Sequence, residues 1–94
     1  MAKVIVQHHV VDYDAWLAVF TEHEAVRRQH GATGHTIHRE VTDPNTLVIM
    51  TGFATVEGAR AFTRDPSLAA AMERGGVDGA PRVWICDEAE SRTY

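Results

Sequence analysis

The run Leu47-Val48-Ile49-Met50-Thr51-Gly52-Phe53 constrains this chain more than any other stretch. It reads as a strand, and successive strand residues point to opposite faces. Leu47, Ile49, Thr51 and Phe53 therefore share one face, and Val48 and Met50 share the other. Near the C-terminus, Val83 and Ile85 oppose Trp84 and Cys86 in the same way. An antiparallel sheet with one wet face alternates apolar and polar residues. These strands do not, so both faces of their sheet need cover.

The remaining elements supply cover for one face only. Lys3 to Val10 reads as a first strand. Asp12 can cap a helix running from about Tyr13 to His30, with Asp14 in its first turn, cationic Arg27, Arg28 and His30 in its last, and Gly31 as its stop. Thr33 to Val41 is a second strand, joined through the turn Asp43-Pro44-Asn45-Thr46 to the strand Leu47–Phe53 as an antiparallel hairpin. Thr55 can cap a second helix from Val56, which Asp65-Pro66 interrupts as a fresh cap and first helical residue. That helix ends at Gly75-Gly76, a loop follows, and the last strand spans Arg82 to about Asp87 before a polar tail, 88–94. The order strand, helix, strand, strand, helix, strand predicts a single ferredoxin-like α+β domain over 1–94, a four-stranded antiparallel sheet with both helices on one face.

The second face then stands open. Four strands of about five residues span roughly 20 Å by 17 Å. An apolar patch of ~350 Å² marks an interaction site. Its burial is worth on the order of 9 kcal/mol gross, of which association costs take back much. A homodimer packed sheet to sheet is the expected solution, because the tail Glu88-Ala89-Glu90-Ser91-Arg92 is too polar to cover the patch.

Net charge is −4 and the basic residues are scattered, which argues against a nucleic-acid partner. No run approaches the ~20 apolar residues of a membrane span. The N-terminus enters a strand at once and does not resemble a signal peptide, and the single Cys86 excludes an internal disulfide, so a cytoplasmic protein is expected.

Six histidines invite a metal reading. His8 and His9 are strand neighbours with rings on opposite faces, and His35 and His38 also diverge. His23 and His30 lie about two helical turns apart, ~10.5 Å along the axis. No metal site is expected. His23 is the more interesting, because it lies on the helix stripe of Trp16, Val19, Phe20 and Val26 that must meet the sheet. Burial there would keep its imidazole neutral, the form a general base needs. His8 shares a strand face with Val4, Val6 and Val10. If that face meets the helices, His8 and His23 line one pocket; if it meets a partner, His8 belongs to the interface. Trp16 and Phe20 are candidate walls for a substrate. Tyr13 could reach the pocket mouth, His38 could join either face, and Arg60 could reach an anionic group.

The element order, the size, His8 followed by Val11-Asp12-Tyr13-Asp14-Ala15-Trp16, and the closing Pro81-Arg82-Val83-Trp84 resemble the dimeric α+β barrel superfamily. That group includes antibiotic-biosynthesis monooxygenases, small polyketide cyclases, muconolactone isomerases, haem-degrading monooxygenases and stress-responsive barrel proteins. The resemblance implies a homodimer that binds a small hydrophobic or aromatic molecule. It implies either a cofactor-independent monooxygenase or cyclase acting on an aromatic or polyketide-like substrate, with a histidine as general base, or a non-catalytic ligand-binding or stress-related protein. The haem-degrading members carry an iron-binding histidine on the second helix, and Val56 to Arg74 contains none here.

Overall fold

A computed structural model describes all residues, 1–94. Its elements are β1 (Ala2–Val10), α1 (Tyr13–Glu22), α2 (Glu24–Gln29), β2 (Ala32–Arg39), β3 (Thr46–Phe53), α3 (Val56–Arg64), α4 (Pro66–Arg74) and β4 (Val77–Asp87). One antiparallel sheet holds all four strands in the order β2-β3-β1-β4, with the helices on one face. This is the ferredoxin-like arrangement that the element order predicts. No helix is long and apolar enough to cross a membrane.

The central strands settle which phase faces inward. β1 alternates without a break, and Ala2, Val4, Val6, His8 and Val10 are its buried residues. β3 buries Leu47, Ile49, Thr51 and Phe53 on the same side. Directly paired residues share a face, so Ile37, Ile49, Val6 and Val83 form one row beneath the helices. On the open face Thr36, Met50, Ile5 and Trp84 form the matching row. β4 is bare on both sides, since every residue after Val77 is exposed, including Val83, Trp84 and Ile85.

Two local features depart from the sequence expectation, and both bear on the site. The expected continuous helix over 13–30 is broken at His23, whose φ and ψ are −80° and −2°. An unbroken helix would return the amides of Glu24 and Ala25 to Phe20 and Thr21. The chain turns at His23, whose carbonyl accepts from the Val26 and Arg27 amides at 3.1 and 3.3 Å. The Phe20 carbonyl accepts from Arg27 Nη1 at 2.8 Å. The second feature is in β4, which begins at Val77 rather than Arg82 and bulges opposite His8: Gln7 pairs with Arg82, His9 with Asp78. Gly79, at φ +79°, and Pro81, which has no N–H, lie in the bulge.

The caps form as their chemistry predicts. Asp12 Oδ1 accepts from the Asp14 amide at 3.2 Å, Thr55 Oγ1 from the Gly58 amide at 3.0 Å, and Asp65 Oδ1 from the Ser67 amide at 2.9 Å. Pro66 opens α4, so the α3–α4 break falls where the sequence puts it.

Gly58 sits in α3 where a Cβ would strike the His30 carbonyl, while a Cβ at Gly34 would meet nothing within 4 Å. Gly58→Ala should lower unfolding stability by about 1–3 kcal/mol despite alanine's better helix propensity. Gly34→Ala should stay within about 0.5 kcal/mol of the parent protein. Urea denaturation of the two variants checks both.

Candidate functional site

A cavity of ≈ 50 Å³ lies between the helices and the sheet. Its floor is Val4, Val6, Ile49 and Thr51, and its helical walls include Trp16, Phe20, Phe62 and Met72. The inward phase of β1 brings His8 into the same wall system as His23. Of the residues singled out from sequence, His8, His23, Trp16 and Phe20 therefore meet at one cavity.

The two histidines are held differently. His8 is 6% exposed, its ring edge faces Trp16 with centroids 5.8 Å apart, and its Nδ1 is buried with no hydrogen-bond partner. Burial lowers its pKa below the ordinary 6.5. His23 is 8% exposed, and its Nε2 lies 2.8 Å from Ser67 Oγ. Its pKa is lowered first by burial and then by the nearby Arg27 charge, with Asp65 opposing. Asp65 ties the far end together: it caps α4 at Ser67 and lies 2.9 Å from His30 Nε2. The His30 hydrogen bond, followed by those from Ser67, pulls the Asp65 carboxyl down to about 2.

Arg27 completes the wall. It is 2% exposed, stacked on the Phe20 ring at 3.7 Å from guanidinium carbon to centroid, and its Nη2 is buried without a partner. The sequence places it in the last turn of the first helix, where a cation suits the helix dipole. The signal for a different role was its spacing: Trp16, Phe20, His23 and Arg27 recur at four, three and four residues, one continuous helix face.

The other expected residues are not brought to the cavity wall. Tyr13 packs on Trp16 at 5.9 Å between centroids and carries the Arg39 guanidinium over its ring at 4.1 Å. His38 lies in the row of Val48 and Gln7 on the open sheet face and bonds to Thr36 Oγ1 at 2.9 Å. Arg60 is exposed on α3. No three His, Cys, Asp or Glu side chains converge in an arrangement able to hold a metal ion.

No protein-family model matches the chain, and no characterised protein sequence does. Solved structures match its fold over nearly its whole length. SnoaB of Streptomyces nogalater, a cofactor-independent oxygenase, superposes with a TM-score of 0.76 at 14% identity, covering 96% of this chain and 94% of that one. The monooxygenase from the gene ActVA-Orf6 of Streptomyces coelicolor, in complex with nanaomycin D, gives 0.69 at 16% identity over 99% and 91%. The chain thus has the fold of the antibiotic-biosynthesis monooxygenase structures that its sequence resembles.

The pKa shifts set a pH dependence of stability. His8 and His23 are held below 6.5, so the unfolded chain binds their protons first and stability falls as pH drops below about 6.5. Asp65, held at about 2 against an ordinary 3.8, stabilises the fold fully above 3.8 and loses that contribution as pH falls toward 2. In urea titrations from neutral pH to pH 2, the gap between the parent protein and Asp65→Asn should stay constant down to about pH 5 and then close. A gap that persists at the acid end would mean that Asp65 acts only as a neutral cap.

Proposed function

We propose that this protein binds a small, predominantly apolar aromatic molecule in the cavity and that His8 acts there as a general base, without a cofactor. One observation carries the reading: two buried histidines share an apolar cavity, burial lowering the pKa of each, and one of them, His8, keeps a ring nitrogen without a partner. His23 is engaged by Ser67 and serves to orient the wall and to hold the ring of the substrate. The oxygenase named for a structural neighbour agrees with this choice of reaction.

The chemistry that the site supports is oxygenation of an electron-rich phenol. His8 takes the phenolic proton. The phenolate transfers an electron to dioxygen, and the two radicals recombine as a peroxide at the para carbon. The ring proton leaves that carbon as the O–O bond breaks, and protonation of the departing oxygen gives water. The sum, ArH(OH) plus O₂ to quinone plus H₂O, balances with no external reductant. The walls are largely apolar, and an imidazole kept neutral by burial matches the proton transfer.

Size restricts the substrate. An apolar cavity of about 150 Å³ takes up one benzene ring, and this cavity has ≈ 50 Å³. A single ring can enter only as half-buried Leu68 and Met72 swing aside, Met72 being the more pliant. The same small volume favours a second reading, a non-catalytic ligand-binding protein on the same fold. The two part at turnover. With syringol as probe, oxygen uptake and quinone formation should appear with the parent protein and fall at least about 100-fold in His8→Ala. Retained binding of syringol with no oxygen uptake by either protein would select the non-catalytic reading.

The open sheet face supports a homodimer with the two sheets packed together. Ile5, Val48, Met50 and Trp84 form its apolar centre, and Trp84 stands 41% exposed in the single chain. Native mass spectrometry should record a dimer, and Trp84→Glu should shift it to monomer, since a buried unpaired carboxylate at such a centre costs several kcal/mol.

A further inference from the structure

Arg27 is a buried charge with no ion pair, and Glu24 acts on it only through space. Its guanidinium offers five N–H donors. Nη1 donates to the Phe20 carbonyl, the Phe20 ring covers one face, and Nη2 has no partner. The acid one turn before it, Glu24, is exposed and engages Arg28 at 3.5 Å. No Asp or Glu lines the cavity, whose only ionisable residues are His8, His23 and Arg27. A buried cation normally finds a carboxylate or loses stability. This one is held in place, with one edge of its fork unused.

Its position defines the shape of what would use that edge. Arg27 and Thr51 line both the apolar cavity and a polar groove outside it, bounded by Glu24, Arg28 and His35. They form the partition between the two. A ligand with its apolar body in the cavity and its polar end toward the groove would place that end against Arg27. We propose that Arg27 is the anion-recognising residue of this cavity and that its ligands are small aromatic carboxylates, with the ring among Trp16, Phe20 and Met72 and the carboxylate on the free guanidinium edge. The proposal rests on the cavity being the binding site and adds the charge of the ligand. The guanidinium fork matches a carboxylate's two oxygens, which a neutral amide of the same shape does not.

The test compares benzoate with benzamide by isothermal titration at about pH 8, where neutral histidines cannot supply the preference. Benzoate should bind the parent protein about tenfold or more tightly than benzamide, the worth of one charge-assisted hydrogen bond. Arg27→Gln should abolish that preference, so that benzoate and benzamide bind it equally. Arg27→Met serves as the folding control, because an apolar replacement for an unpaired buried charge should melt no lower than the parent. Equal binding of the two ligands to the parent protein, or a preference that survives Arg27→Gln, overturns the proposal and leaves the cavity as a neutral-ligand site. Absence of binding by either ligand overturns this proposal together with the reading of the cavity as a binding site.

Discussion

The hydrogen bond from Arg27 to the Phe20 carbonyl organises the functional half of the molecule. By occupying the acceptor that Glu24 would use, it goes with the break in the first helix at His23. On either side of that break the two helical segments present Trp16, Phe20, His23 and Arg27 to a common space. His23 then reaches across to Ser67, at the start of the segment that follows the second interruption, Asp65-Pro66. Both helical layers are thus broken once, and the breaks are joined through His23–Ser67 and His30–Asp65.

The sheet contributes the opposite wall and one residue of consequence. Because β1 alternates perfectly, His8 must share the helix side with Val4 and Val6. The β4 bulge falls opposite His8, so that residue has no direct cross-strand neighbour on that side. Bulges recur beside functional sites for this reason: they end regular pairing where a side chain has another task. Burial lowers the pKa of both imidazoles; Nδ1 of His8 is buried without a partner, while Nε2 of His23 is tethered to Ser67.

The fold was legible because its signals are local and mutually consistent. Asp12, Thr55 and Asp65-Pro66 mark helix starts by a chemistry that needs no tertiary context, and the turn Asp43–Thr46 forces the hairpin. The two-faced character of Leu47–Phe53 pointed to cover on both sides, and the structure leaves Val48 and Met50 on the uncovered face. The site was legible only in part. His23, Trp16 and Phe20 could be read from helix phase, whereas strand phase grouped His8 with Val4 and Val6 without fixing whether that face met the helices or a partner. Arg27 could not be read from residue type, since an arginine in a last turn is ordinarily solvated and dipole-stabilised; only its spacing from Phe20 and His23 marks it as inward. His38 and Arg60 were attractive by chemistry alone, and their phases carry them to the open sheet face and to solvent. The bulge beside His8 depends on a non-local register that no local pattern encodes.

In the proposed function the cavity holds a histidine base with a free ring nitrogen. Imidazole nitrogen chemical shifts, followed by NMR from pH 8 to pH 5 on selectively labelled protein, test it most directly. His8 should titrate below 6.5, with one nitrogen free of hydrogen bonding until an aromatic ligand is added, and should shift on that addition. A His8 ring that titrates at or above 6.5, or that ignores every ligand that binds, would contradict the claim.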